Sequence, residues 1–384
     1  MRLEAPASGD PRDVLRALRT AVLGAGPAVS LGAGADLPAD VPPGTAAVVT
    51  TSGSTGVPKS VLLSRNALIS SAYATAARIG EGAWLLAVPA TYVAGAQVLV
   101  RALLADREPA VVAGPFRPEP FAAAALGMAS HENGARVPTY TSLVPAQLQR
   151  LLDAADTDPT VAKALRSFEA VLIGGQALAP TVRERAETAG VRIVRTYGST
   201  ETSGGCVYDG VPLDGVEVAL VDGEVRLTGS MLADGYLGDP ARTASVFPSD
   251  DAGTRWYRTG DGGEVVDGVL SVTGRLDNVI VSGGVNVSLD RVEAAVRGIA
   301  GLESAVVVPV ADATWGQGSA VVVPRPTPAA DAELLERVRA VVADAVGAPA
   351  RPSRLVVVDE LPTLSSGKPD RAAVRARLAQ DPRR

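Results

Sequence analysis

The sequence holds one cysteine and one histidine in 384 residues. Cys206 alone cannot form an internal disulfide, which suits a reducing compartment and predicts a cytoplasmic protein. His131 alone excludes a multi-histidine metal centre, and its polar S-H-E-N-G surroundings read as a solvated loop. Basic charge is not in excess. A net charge of −6 and a pI near 5.1 exclude a broad nucleic-acid footprint. Residues 1–13 carry charges and prolines where a signal peptide has an apolar core. The most membrane-like run, residues 83–100, is interrupted by Pro89, Thr91, Gly95 and Gln97, so it reads as a buried strand and a buried helix, with no membrane span.

What is present is ample apolar material, 47% of residues, with no low-complexity tract and no internal repeat. The length exceeds the ~250–300 residues at which single cores stop growing, which predicts two domains. Between residues 60 and 197, strand patterns (84–88, 111–113, 168–173, 191–194) alternate with helical ones (65–79, 93–104, 145–154, 180–189). That alternation predicts an α/β domain with a mostly parallel sheet. After Gly204 the pattern changes to short strands, with Asp222-Gly223 and Asp267-Gly268 at hairpin turns, implying a small antiparallel barrel or sheet. Beyond Arg275 a compact α+β unit begins. Strands are predicted at 279–281, 305–308, 320–323 and 356–358, and helices at 289–299, 331–346 and 370–378. The division is therefore a large domain over 1–274, a junction at 275–278 and a small C-terminal domain over 279–384.

Residues 50–60, T-T-S-G-S-T-G-V-P-K-S, combine two glycines, a cluster of hydroxyls and a lysine directly after an apolar strand. Glycine-freed N–H groups, hydroxyls and an ammonium make a phosphate cradle. From Gly53 the stretch matches the Walker A pattern except at Pro58, which has no N–H to offer in the place of the second glycine. Residues 60–63 also read as a strand, with Ser64 as the N-cap of the helix beyond. The stretch is read as a strand–loop–strand phosphate clamp; a P-loop NTPase and a plain Gly/Ser surface loop remain alternatives.

Further motifs follow in order. G-G-Q (174–176) ends a strand, where ligands of parallel sheets gather. In T-Y-G-S-T-E (196–201), Tyr197 offers a flat face and Glu201 a hard oxygen ligand for Mg²⁺; a plain strand-end turn is the other reading. W-Y-R-T-G-D (256–261) presents Asp261, either to ribose hydroxyls or to solvent. G-R-L-D-N-V-I-V-S-G-G (274–284) spans the domain junction, and its arginine and aspartate are alternatively a structural pair. L-P-T-L-S-S-G-K (361–368) presents Lys368 from a turn, where most lysines are simply solvated.

As an ordered set, these motifs resemble the adenylate-forming superfamily of acyl-CoA synthetases, peptide-synthetase adenylation domains and luciferases, over residues 46–371. The resemblance implies ATP, Mg²⁺ and coenzyme A as the small-molecule partners, with a carboxylic acid as substrate. It implies that Thr51, Ser52, Gly53, Ser54, Thr55, Gly56 and Lys59 grip the ATP phosphates and that Glu201 binds Mg²⁺. Gly174, Gly175, Gln176, Thr196, Tyr197, Gly198 and Thr200 would surround the adenosine, with Asp261 and Arg275 on its ribose. Asp277 would be the hinge and Lys368 the catalytic lysine, and Gly283-Gly284 would line the path of CoA. A homodimer is left open.

The acyl pocket is implied in the same way. P-A-T-Y-V-A-G (89–95) places Tyr92 where family members often carry histidine. Residues 141–152, which hold Ser142 and Leu143, and the L-D-N-V-I-V-S-G-G junction resemble o-succinylbenzoate–CoA ligases of menaquinone biosynthesis. Only 49 residues precede Thr50, which implies a reduced amino-terminal subdomain. The second carboxylate of o-succinylbenzoate needs a cationic contact, for which Arg195 is the candidate, against a surface or ion-paired arginine. The function implied is an acid–thiol ligase. A ligase for another aryl or fatty acid and a non-catalytic nucleotide-binding module are the alternatives.

Overall fold

The computed structural model describes residues 1–384 apart from 25, 33–36, 52–57, 113, 129, 133, 313–314, 326–331, 365–366 and 381–384. The first sheet orders its strands Leu3–Glu4, Ala28–Leu31, Thr45–Thr51, Lys59–Ser64 and Gly235–Tyr236, the first three parallel and the last two antiparallel to their neighbours. Thr51 pairs with Lys59, so the strands on either side of the phosphate motif are antiparallel. Ser64 then caps the helix Arg65–Ile79, its hydroxyl accepting from the Ala67 N–H, as the sequence predicts.

The second sheet has seven strands, of which Ala110–Val111, Ala83–Leu86, Thr139–Leu143, Ala170–Ile173 and Ile193–Ser199 are parallel neighbours. One face packs on the helices Pro118–Leu126, Pro145–Ala155, Pro159–Ser167 and Pro180–Thr188 through Leu85, Leu143, Val171 and Ile173. The other packs through Trp84, Tyr140 and Leu172 into the large core shared with the first sheet and with the helix Val93–Leu104. Period-two alternation along each strand separates these two sets.

The strand predicted over 191–194 runs on to Ser199 and pairs antiparallel with Gly204–Tyr208. The T-Y-G stretch is therefore strand with a bulge between Tyr197 and Gly198, and a Cβ at Gly198 would collide with the Gly204 carbonyl. Two Asp-Gly hairpins build the next sheet, Val216–Val221, Glu224–Gly229, Tyr257–Val266 and Val269–Arg275, which is open-edged. Asp222, Gly223, Asp267 and Gly268 all have positive φ, the primed-turn geometry that Asp-Gly favours.

The C-terminal unit has its own cores. A five-stranded sheet, Val279–Ser282, Val285–Ser288, Val306–Asp312, Gly316–Pro324 and Arg354–Val358, carries the helices Leu289–Arg297, Ala332–Ala345 and Arg371–Gln380. Among the described residues no helix is long and apolar enough to cross a membrane.

Candidate active site

Three elements converge at the junction of the first two sheets. Lys59 opens the strand after the phosphate loop, and Tyr236 is the cross-strand partner of Val61. Lys59 and Tyr236 therefore lie on one face. Glu201 sits in the single 3-10 turn Thr200–Thr202 that ends the bent strand of the second sheet. The Lys59 ammonium donates to Glu201 Oε1 at 2.5 Å and the Tyr236 hydroxyl donates to the same oxygen at 2.8 Å. Glu201 is 2% exposed. Burial alone would raise its pKa, but the charge and hydrogen bond of Lys59 and the bond from Tyr236 outweigh it and hold the carboxyl below its usual value. Both side-chain donors land on Oε1, so Oε2 carries neither. A buried carboxylate with one oxygen clear of side-chain donors fits Mg²⁺, which takes one or two carboxylates beside substrate phosphates. Among the described residues no group of three or more metal-ligating side chains exists, so phosphate would have to complete such a site.

A second group of residues, expected to bound a nucleoside, is built from strand ends. A Cβ at Gly174 would lie 2.5 Å from Thr196 Oγ1, so only glycine allows this approach between adjacent strands. Tyr197 donates to Asp261 Oδ2 at 2.7 Å, which ties the second sheet to the Asp-Gly sheet. Burial and the Asp261 charge push the Tyr197 phenol far up, so it remains a donor. Asp261 and Arg275 are cross-strand partners, with Arg275 Nη1 3.4 Å from Asp261 Oδ1 and donating to the Thr259 carbonyl at 2.8 Å. Arg275 also holds Asp277 through two bonds of 3.1 Å each, and its N–H donates to Asp290 on the first C-terminal helix at 2.7 Å. The junction is thus wired to Asp261.

Lys368 arrives from the other domain. The turn that carries it closes through Leu364 N–H to the Lys368 carbonyl at 2.8 Å. Its Cε lies 3.1 Å from where a Gly175 Cβ would stand, with Nζ at 3.7 Å, and Gly367 sits against Val144. The surrounding atoms desolvate the ammonium and lower its pKa, although the residue as a whole keeps solvent access. Ser304 to Gln149, at 3.1 Å, is a further contact across the domains.

The structure therefore pairs Lys59 with Glu201, Gly174 with Thr196, Tyr197 and Arg275 with Asp261, and Lys368 with Gly175, around the end of the strand Ile193–Ser199 and its neighbours. Thr51 stands at the loop mouth with its buried hydroxyl unpartnered. Ser52, Gly53, Ser54, Thr55 and Gly56 lie outside the described residues. Gln176 and Thr200 adjoin these residues in the chain, half-buried and buried respectively. Gly283 and Gly284 form the two-residue turn between Val279–Ser282 and Val285–Ser288, against Trp315, with no described contact to them.

Two acyl-pocket expectations need correction. Arg195 is an exposed strand residue whose Nε donates to Asp209 Oδ1 at 3.0 Å, a surface ion pair. Leu143 faces the helical side of its sheet and packs in the core with Leu85 and Ile173. Ser142, one residue earlier, pairs with Leu172 and so faces the large core, and Tyr92 is half-buried immediately before Val93–Leu104.

The cation absent from the sequence-based set is Arg101. On the helix Val93–Leu104, Gln97 and Arg101 lie four apart on one face, 1% and 7% exposed. Gln97 packs on Gly204, three residues after Glu201. Arg101 stacks 5.0 Å over Trp84 and reaches the Tyr208 hydroxyl at 3.4 Å. Tyr208, Thr75, Ser71 and the Ser203 carbonyl continue the polar chain back toward Glu201. Arg101 Nε and Gln97 Oε1 have no hydrogen-bond partner, and no ion pair of Arg101 exists among the described residues. A buried guanidinium without an anion is costly. A polar residue at i, i+4 in an otherwise apolar helix is the signal that the sequence offers for it.

The comparisons with known proteins agree with this geometry. Residues 9–237 match the AMP-binding enzyme family and residues 291–368 its C-terminal domain. A probable 2-succinylbenzoate–CoA ligase of Mycobacterium tuberculosis is 43% identical over 87% of this chain and 85% of its own length. The 2-succinylbenzoate–CoA ligase of Salmonella typhimurium is 33% identical over 75% of this chain, which spans 60% of that protein. Among solved structures, a variant of E. coli MenE with bound OSB-AMS superposes with a TM-score of 0.69 at 27% identity, covering 90% of this chain and 71% of that one. With both family models matched across its two lobes, the chain belongs to the AMP-binding enzymes.

Proposed function

We propose that the chain is an ATP-dependent acid–thiol ligase that joins o-succinylbenzoate to coenzyme A in menaquinone biosynthesis. The observation that carries the ligase reading is Lys368, delivered by the C-terminal domain against Gly175 at the mouth of the nucleotide cleft. A carboxylate is a poor electrophile. In the first half-reaction its oxygen bonds the α-phosphorus of ATP, the bond to the β-phosphate oxygen breaks, and pyrophosphate leaves. In the second, the thiol sulfur bonds the carbonyl carbon of the acyl-adenylate, its proton passes to solvent, and AMP leaves with the pair of electrons of the broken C–O bond.

The residues divide the work by position. Lys59 meets the phosphates, Asp261 accepts from the ribose hydroxyls, and Tyr197 with the Gly174-Gly175 backbone bounds the adenine. The Lys368 ammonium neutralises charge that develops between carboxylate and α-phosphate, a preorganised electrostatic role. Held by Glu201 with phosphate oxygens, Mg²⁺ supplies positive charge against the triphosphate when bound. Because Lys368 would obstruct the thiol, the C-terminal domain turns about 275–278, where Arg275 and Asp277 are paired, and brings Gly283-Gly284 to the pantetheine path.

The identity of the acid is supported by Arg101 and by the names of the relatives. A ring-linked second carboxylate entering along Gln97 would give Arg101 the anion it lacks. The test is pyrophosphate release from MgATP with CoA across a panel of acids. The highest kcat/KM with o-succinylbenzoate supports the reading. Turnover only with benzoate or fatty acids would replace the substrate, and no turnover with any acid would sink the ligase.

A further inference from the structure

Next to the phosphate motif stands a second cation, Arg242, to which none of the above assigns a role. The strand Gly235–Tyr236 is hydrogen-bonded along the Lys59 strand, and the helix Pro240–Val246 follows at once. Asp239 caps that helix by accepting from the Arg242 N–H at 2.9 Å. Thr243 accepts from the Tyr236 N–H at 2.9 Å and packs against Gly235, which locks the helix to the strand and fixes the position of its neighbour Arg242. The Arg242 Cζ lies 4.9 Å from the centre of the Tyr236 ring, and the Lys59 ammonium lies 5.5 Å from the same ring. Tyr236 in turn donates to Glu201.

Charge and geometry at this spot are unbalanced. Glu201 is the carboxylate of the cluster and Lys59 already neutralises it. Among the described residues Arg242 has no ion pair. The half-buried guanidinium lies over the aromatic ring and makes one hydrogen-bond contact with the Tyr236 hydroxyl, which leaves further donors among its five N–H groups. The in-plane N–H edge is the part of arginine that matches phosphate oxygens two at a time. Burial and the Glu201 charge raise the Tyr236 phenol while Arg242 opposes them, so the two groups feel each other electrostatically.

We infer that Arg242, stacked on Tyr236 beside Lys59, is a phosphate-binding residue for the β- and γ-phosphates of ATP and for the pyrophosphate that leaves. This deepens the ligase reading and rests on its placing of ATP. It divides the triphosphate between two walls, with Lys368 on the α-phosphate side and Lys59 with Arg242 on the leaving side.

Nucleotide titration by calorimetry tests it without any acid, so its outcome is separate from that of the turnover assay. The probes are MgATP, Mg-pyrophosphate and AMP, with wild type, Arg242→Gln and Arg242→Lys. Loss of a charge-assisted phosphate contact should weaken MgATP and pyrophosphate about 10- to 100-fold, with AMP within about twofold and Arg242→Lys intermediate. Equal weakening of AMP and ATP would overturn the assignment in favour of a structural support for Tyr236. Unchanged binding of all three would also overturn it. Arg242→Lys retains the charge and the helix, so it decides the question if Arg242→Gln misfolds.

Discussion

At the phosphate end of the proposed site, Lys59 and Tyr236 both donate to Glu201 Oε1. At the inner end of the proposed acid path, Gln97 and Arg101 are also buried and leave an acceptor and a donor unanswered. The first cluster is a paired charge that contributes to stability. The second keeps its charge at a cost, which in the proposed reading the second carboxylate of the acid would offset. Stability and affinity should therefore respond oppositely at the two ends.

The largest effect is expected where a third cation joins the phosphate end. Lys368→Ala should lower adenylate formation by about 10²–10³-fold, read by pyrophosphate release, while thioester formation from supplied acyl-adenylate continues. Equal loss of both steps would make Lys368 a structural residue. At the inner end, Arg101→Met should cut kcat/KM for o-succinylbenzoate about 10- to 100-fold and leave unsubstituted benzoate little changed. Its thermal midpoint should hold or rise, because an unpaired buried charge is replaced by apolar volume. A fall in both midpoint and activity toward every acid would end the contrast.

Glu201→Gln should do the reverse for stability and lower it by about 1–3 kcal/mol in chemical denaturation, discounted because Lys59 keeps some solvent access. The pH dependence has a definite sign. The folded-state pKa of Glu201 is held below the ordinary carboxylate value of 4.5, so its stabilisation is complete above that value and is lost as pH falls through the lowered one. The gap between wild type and Glu201→Gln should thus be full at neutral pH and close below about pH 4.5. A gap independent of pH would remove the ion pair as its source. The smallest effect belongs to Arg195→Ala, whose exposed pair with Asp209 is worth about 0–1 kcal/mol. The KM for the acid should not move; a large increase would return Arg195 to the pocket.

Much of the architecture is legible locally. Ser64 as a cap, the helix Val93–Leu104 and the two Asp-Gly turns follow from short-range steric and hydrogen-bonding rules that need no partner from afar. Glu201 and Lys368 are legible as members of an ordered motif set, although nothing in their own neighbours shows them meeting one cleft. Arg195 misleads because closeness in sequence to Tyr197 does not mean closeness to the ligand. The pair with Asp209 holds its side chain at the surface. Leu143 misleads because one step along a strand reverses the face.

The chain alone determined its elements, its two-lobed order and the chemical kinds of group supplied to the cleft, because propensity, capping and periodicity act over a few residues. Only the tertiary structure decided which charges are answered: that Glu201 has Lys59, that Arg195 has Asp209, and that Arg101 has no carboxylate among the described residues. Whether a charge is paired depends on every element that surrounds it, and residues 84, 97, 101 and 208 meet only when sheet and helix have packed.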